Sequence, residues 1–363
     1  MIARRILVTG GAGFIGSAIV RQLVAAPEGH RVMNVDCLTY AANPLSLNDV
    51  AGNDRYRFEQ VDIRDAARVR ALFEDFKPDL VIHSAAESHV DRSIDGPEIF
   101  VETNVMGTAN LLFAALGHWR GLEGEAKDRF RFLHVSTDEV YGDLGADDDG
   151  PGFSEETPYD PRSLYSASKA GSDHLVRACF HTYGLPILLT NCSNNYGPCQ
   201  FPEKLIPLII MKCLAGERLP VYGTGENVRD WLYVEDHVSA LWAVAERGAP
   251  GETYMIGGSS QRQNIEVVHR ICDALDRMRP RAGGAPHRDL IQFVTDRPGH
   301  DFKYGVDASK IRAELGWEPS RSFEDGIEET VAWYLANEDW WRPLLERGGV
   351  GERLGLAALS GGR

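Results

Sequence analysis

The stretch Thr9–Gly16, "TGGAGFIG", follows a short apolar run, Arg5–Val8, and opens "FIGSAIVRQLVAA", whose apolar residues recur at helical spacing. A strand, a glycine-rich turn and a helix in that order give each glycine a task. Gly10 permits the tight turn, Gly13 lets the backbone approach a pyrophosphate, and Gly16 lets the helix pack closely on the strand. The helix N-terminus then offers N–H groups to phosphate. An empty β-α turn has the same glycines. Here a second strand, "RVMNVD", ends on Asp36. An acid at that point hydrogen-bonds the adenosine ribose hydroxyls and repels a 2′-phosphate, so the expected cofactor is NAD. Asp62, ending the next strand, is placed either to meet the adenine amino group or to act as a solvated cap.

Outward from this turn the alternation repeats. "YRFEQVDI", "DLVIHSAA", "FRFLHVST" and "PILLTNCSN" have strand character. Helical patterns fall around "AARVRALFEDF", "IFVETNVMGTANLLFAALGHW" and "YSASKAGSDHLVRACFHTYG". Repeated β-α units imply an α/β fold, a Rossmann-type doubly wound parallel sheet with helices on both faces. After about residue 195 the pattern loosens. The expected organisation is an NAD-binding domain over 1–195, with a returning segment at about 231–257 that contains the strand-like "ETYMIGG". Residues 196–230 and 258–340 would form a smaller C-terminal α/β substrate lobe, and 341–363 a flexible tail. "GADDDGPG" (145–152) is an expected polar loop.

Composition narrows the function. Of 363 residues, 43% are hydrophobic and 25% charged, the balance of an ordinary globular protein with a sizeable core. Lys and Arg number 38 against 53 Asp and Glu, a net charge of −15, which argues against a nucleic-acid partner. A local basic pocket for a small phosphorylated substrate remains compatible with that balance. The six cysteines form no C-x-x-C pair and suggest scattered buried thiols in a reducing compartment. The histidines show no metal-binding spacing, so no metal is expected. Two arginines precede the first apolar run as in a signal peptide, but glycines interrupt that run. No stretch approaches the roughly eighteen apolar residues of a membrane span. The expected place is the cytoplasm, with no membrane partner.

Two further motifs carry chemistry. Tyr165 and Lys169 form Y-x-x-x-K, and residues four apart share a helix face. An ammonium beside a phenol stabilises phenolate, which suits a general base. An exposed pair on a polar helix face has the same spacing. The preceding strand ends in "VSTDEVYG" (135–142), where the Thr137 hydroxyl stands beside Asp138 and Glu139. Mutual repulsion separates the pKa values of neighbouring carboxyls, so one can serve as acid while the other is an ionised base. The pair is equally compatible with the first turn of a helix, where the dipole favours acids. Adjacent residues of a flat strand face opposite sides, so both acids reach one site only if the backbone turns near Asp138.

"TGGAGFIG", "HSAAESHVDRS", "STDEVYG" and "YSASK" together resemble the extended short-chain dehydrogenase/reductase superfamily. More narrowly, "LTYAAN", "TNCSNNYGP", "FPEKLIPL" and "RPGHD" resemble the dTDP-glucose 4,6-dehydratase family, over the chain up to about residue 335. The departures are Cys37 within "DCLTYAAN" and an expanded loop at 143–153. The resemblance implies a reaction at carbons 4, 5 and 6 of a nucleotide-linked glucose, using tightly held NAD. In it Tyr165 is the base at carbon 4, with Thr137 on the same oxygen. Glu139 is the base at carbon 5, Asp138 the acid at carbon 6, and Lys169 the tuner of Tyr165 and the group that orients the nicotinamide ribose, so that Tyr165 and Lys169 are also implied cofactor contacts. Cofactor contacts implied are Phe14 and Ile15 beside the glycines, Leu38 and Thr39 after Asp36, Ile63 after Asp62, and Ala85, Ala86, Ser88, Thr103 and Asn195. Substrate contacts implied are Ser88, His89 and Asn194 near the sugar, and Glu203, Lys204 and Leu205 with Pro220 and Tyr222 near the base. Arg229, Asn264, Arg297 and His300 are implied at the diphosphate and nucleoside. A homodimer through helices near 98–117 and 165–183 is also implied. A nucleotide-sugar 4-epimerase shares the fold, NAD, Tyr165 and Lys169, but needs no acid/base pair at carbons 5 and 6. CDP-, GDP- or UDP-linked sugars are alternative substrates. A catalytically idle NAD-binding regulator would lack these groups. Trp231, Trp242, Trp317, Trp340 and Trp341 are expected as core or interface anchors.

Overall fold

The computed structural model describes residues 2–148, 150–296 and 300–345. Its central sheet is formed by β1 (Arg5–Thr9), β2 (Arg31–Asp36), β3 (Tyr56–Gln60), β4 (Leu80–His83), β5 (Arg131–Thr137), β6 (Ile187–Cys192) and a strand far along the chain, Thr253–Ile256. The order across the sheet places that last strand beside β6, followed by β5, β4, β1, β2 and β3, with every pairing parallel. Strand order reverses between β1 and β4. Ligands bind at such a switch point, outside the carboxyl ends of the strands. Apart from the edge strand β3, the strands are largely buried on both faces, as helices on either side require. Ile6 and Val8 face one apolar cluster with Ile19, Leu23 and Leu241, and Leu7 faces another with Leu72, Leu112 and Val176.

The expected long helix near 98–117 exists but is not uniformly α-helical. Glu98–Phe100 is α-helical, Val101–Gly107 is a π-helical segment, and Thr108–Arg120 resumes the α-helix. Asn104, inside the π segment, donates to Glu87 O and to Ser168 Oγ, tying the helix to the loop after β4 and to the helix Leu164–Tyr183. Such widened turns occur often at functional sites. By length and composition Glu98–Arg120 passes as a membrane span, contrary to the sequence expectation, but 56% of its most apolar window is buried within the fold. Leu111, Leu112 and Ala115 pack into the sheet's core there.

Past Ser193 the chain leaves the sheet. β7 (Asn194–Tyr196), β8 (Leu219–Tyr222), β9 (Val228–Tyr233), β10 (that returning strand, Thr253–Ile256), β11 (Gln261–Gln263) and β12 (Ile291–Val294) complete the strands among the described residues. β9 lies between β7 and β11, and β12 pairs with β8. The helices Leu205–Ala215, Asn264–Met278 and Phe323–Ala336 bury a separate apolar cluster around Ile209, Ile271 and Tyr334. Asp143 accepts from the backbone N–H groups of Phe302 and Lys303, so the start of the 143–153 loop is tied to the segment before Tyr304.

The chain does not become a tail at 341. Glu338–Leu345 is a helix that buries Trp340, Trp341 and Leu344, and Trp340 Nε1 donates to Ser46 Oγ at 3.0 Å. The rest of the expected tail lies outside the described residues. Trp317 and Trp340 are core residues, whereas Trp231 also lines a cavity. Cys37 is exposed, a departure from the expectation of buried thiols, and the other five cysteines are buried.

Candidate active site

The glycine turn and the ends of β1, β2, β4 and β5 line a cavity of about 340 Å³. At Gly10, φ is +73° and an added Cβ would lie 2.7 Å from Ala85 Cα, so the turn admits no side chain where the switch point opens. A Cβ on Gly16 would lie 2.1 Å from Gly10 O, which fixes the close helix-strand approach. No side chain caps the helix Phe14–Ala25, so its first N–H groups remain available to an anion. Asp36 accepts from the N–H groups of Ala12 at 2.9 Å and Leu38 at 2.8 Å, which shapes the loop after β2. Burial raises its pKa, against the lowering by those two N–H bonds. Bare amides at a glycine turn and a fixed carboxylate on the next strand suit a pyrophosphate and an adenosine ribose, and so a dinucleotide.

Of the expected cofactor residues, Gly10, Gly13, Phe14, Ile15, Gly16, Asp36, Thr39, Asp62, Ile63, Ala85, Ala86, Ser88, Thr103, Tyr165, Lys169 and Asn195 line this cavity. Leu38 does not. It contributes a backbone N–H to Asp36 and sits at φ +58°. Asp62 is gripped by Arg64, with Nη2 to Oδ2 at 2.7 Å, and that pairing lowers its pKa. Arg64, Glu87, Cys192, Gln200 and Phe201 also line the cavity without having been assigned a role from the sequence, as does Cys37, noted there only as a departure. Glu87, Cys192 and Phe201 lie inside motifs quoted above, and Arg64 is a cation two residues after Asp62.

At the end of β5 the backbone turns at once. Thr137 caps a single 3-10 turn, Asp138–Tyr141, by accepting from Glu139 N at 3.2 Å. The strand alternation therefore stops at Thr137, and Thr137, Asp138 and Glu139 all line one cavity. Asp138 is 1% exposed, and its Oδ2 has no hydrogen-bond partner among the described residues. Burial first, then Glu139, raises its pKa well above the ordinary carboxylate value, which favours the protonated form. Tyr165 is hydrogen-bonded to Thr137, and burial followed by Glu139 raises its pKa, opposite to the lowering expected from Lys169, because its buried ring is set among acids. Lys169, on the same helix, sends Nζ to Val135 O at 2.9 Å.

A second cavity of about 470 Å³ adjoins the first. Ser88, Glu139, Asn194, Asn195, Gln200, Glu203 and Lys204 line both, so Glu139 stands where they meet. His89, Leu205, Pro220, Tyr222, Arg229, Asn264 and His300 line the second only. Arg297 lies outside the described residues. Glu203, expected near the base, lines both cavities and receives Tyr40 OH at 3.1 Å and Arg92 Nε at 3.3 Å. Arg229 donates to the carbonyls of Asp301 and Phe302 and stacks 4.3 Å above the Tyr304 ring. Trp231 Nε1 is buried at this cavity's wall with no hydrogen-bond partner among the described residues. Sequence alone gave no means to separate it from the core tryptophans. No group of metal-ligating side chains occurs among the described residues.

A family model described as GDP-mannose 4,6 dehydratase matches residues 7–330. A dTDP-glucose 4,6-dehydratase of Neisseria meningitidis serogroup B is 57% identical over 354 residues, covering 97% of this chain and 99% of the relative. The chain belongs to the dTDP-glucose 4,6-dehydratase family. Solved members of the family superpose closely. The Streptomyces venezuelae dTDP-glucose 4,6-dehydratase, solved with NAD bound, has a TM-score of 0.84 and 45% identity, over 94% of this chain and 99% of that one. The Bacillus anthracis dTDP-glucose 4,6-dehydratase, also in complex with NAD, has a TM-score of 0.83 and 42% identity, over 94% of this chain and 100% of that one. Both of these relatives were solved with NAD, and the glycine cavity is the candidate cofactor half of the site, with the cavity beyond Glu139 the candidate substrate half.

Proposed function

We propose that the chain dehydrates dTDP-glucose to dTDP-4-keto-6-deoxyglucose, by oxidation at carbon 4, loss of water across carbons 5 and 6, and reduction at carbon 6. NAD held at the glycine turn supplies both the acceptor and the donor of one hydride, so the overall reaction is redox-neutral. Gly10, Gly13 and Gly16, the first turn of the helix after them, and Asp36 would hold it. Tyr165 removes the proton from the carbon 4 hydroxyl, and Thr137 hydrogen-bonds the same oxygen. The ketone at carbon 4 acidifies the carbon 5 proton, which Glu139 takes. Asp138 protonates the departing carbon 6 hydroxyl, and carbon 5 is then reprotonated.

One observation carries this reading. Asp138, whose burial favours the protonated form, lines the first cavity next to Glu139, which stands at the junction of the two. An acid and a base are thereby available together, which elimination of water needs and epimerisation at carbon 4 does not. The relatives' names favour the dTDP-linked sugar. The purified protein is to be incubated in turn with dTDP-, UDP-, CDP- and GDP-glucose, and the product weighed by mass spectrometry. Loss of one water from dTDP-glucose ahead of the others is expected. Equal or better conversion of another nucleotide would overturn the choice of dTDP, and an unchanged mass with all four would overturn the reaction.

A second copy of the chain is part of the same reading. The helical stretch Glu98–Arg120 packs beside the helix Leu164–Tyr183. Val101, Met106 and Phe113 on the first, and Leu164 and Tyr183 on the second, are exposed large apolar residues. Apolar groups gathered on two adjacent helices favour burial against a copy. Light scattering is expected to give twice the chain mass, and the monomer mass would contradict the dimer.

A further inference from the structure

Lys169 and Asp173 follow Tyr165 at successive turns of one helix, with His134 against both, and the proton transfers proposed above assign none of the three a role. Lys169 is 3% exposed, and His134 and Asp173 are fully buried. His134 Nε2 lies 3.1 Å from Asp173 Oδ1 and 3.5 Å from Lys169 Nζ. The other carboxylate oxygen, Asp173 Oδ2, accepts from Ser136 Oγ at 2.8 Å and Tyr159 OH at 3.0 Å. We propose that Asp173 is a positioning residue for the oxidation step: one helical turn beyond Lys169, with the His134 ring packed against both, it is the counter-charge that keeps that ammonium charged on the helix face of Tyr165.

The surroundings leave Asp173 as the counter-charge. Burial lowers the pKa of Lys169, and Asp173 is the largest influence opposing that, followed by Cys192. Burial pushes the Cys192 thiol on β6 up to about 12, so it is neutral at physiological pH. Burial holds His134 on β5 at about 4 and His83 on β4 well below its usual value, so both rings are neutral. Tyr141 and Tyr159, from the segment packed over the helix, are phenols raised by burial, and Arg177 donates to Tyr159 OH. Asp173 itself stays ionised, its pKa lowered by His134, Lys169 and Ser136 against burial. The carboxylates that act on Tyr165 are Glu139 and Asp138. Asp173 thus acts through the lysine, and a buried ammonium without its counter-charge gives up its proton at lower pH.

The inference rests on the reading of Tyr165 and Lys169 as the oxidising pair. The test follows nicotinamide reduction by dTDP-glucose in a single turnover, as a function of pH, in variants whose fold is checked by circular dichroism. The rate of Asp173→Asn relative to the parent is expected near one at about pH 6 and at least about tenfold lower by about pH 9, because Lys169 then discharges within that range. Asp173→Glu restores the charge and is expected to recover the alkaline rate. If Asp173→Asn does not fold, Asp173→Ser removes the same charge and is expected to move the alkaline limb the same way. An alkaline limb unmoved in every folded variant, or a loss equal at all pH values, would overturn the inference. A Lys169→Met enzyme that keeps the full oxidation rate would instead overturn the reading beneath it.

Discussion

With Glu139 replaced by Gln, the protein is expected to reduce its NAD when dTDP-glucose is added and to go no further. Gln keeps the shape and the hydrogen-bonding capacity of the side chain but cannot take the carbon 5 proton. Loss of a positioned general base typically costs about 10²–10⁴ in rate. The oxidation at carbon 4 does not call on Glu139, so nicotinamide absorbance should rise and persist while product formation falls by that factor. Asp138 should remain an acid in this variant, because burial is the largest cause of its raised pKa and Glu139 only the next. Product formed at the parental rate would remove Glu139 from the base role.

Tyr165→Phe is expected to stop the reaction one step earlier. The Tyr165 ring meets Phe100 edge-on, with centroids 6.4 Å apart, and a phenyl ring preserves that contact. What is lost is the oxygen bonded to Thr137 and with it the base for the carbon 4 hydroxyl. Nicotinamide reduction should fall by about 10²–10⁴, with dTDP-glucose still bound. Together the two variants separate the steps, since one accumulates reduced cofactor and the other never forms it. Undiminished reduction in Tyr165→Phe would assign the first proton transfer to another group.

The glycine turn, Asp36 and the β-α alternation were legible because each rests on local chemistry: a positive φ, a close approach, a strand period. The doubly wound sheet follows from them, and the structure has it. The types of residue in "VSTDEVYG" were legible too, but not their geometry. That depends on a 3-10 turn starting at Asp138 and capped by Thr137, which no periodicity announces in four residues. The junction role of Glu203 arises from Tyr40 and Arg92, more than a hundred positions away in sequence. Trp231 and Trp340 have similar local sequence character. Only packing puts the first at a cavity wall and docks the second on Ser46. The π-helical turn at Val101–Gly107 was hidden because its apolar spacing over so few residues matches that of an α-helix.

The central claim is that one hydride leaves carbon 4 and returns to carbon 6 within a single active site. The most direct test uses dTDP-glucose carrying deuterium at carbon 4, with no added oxidant or reductant. The account predicts a 4-keto-6-deoxy product with the deuterium on carbon 6. Deuterium still at carbon 4, or lost to solvent, would contradict it.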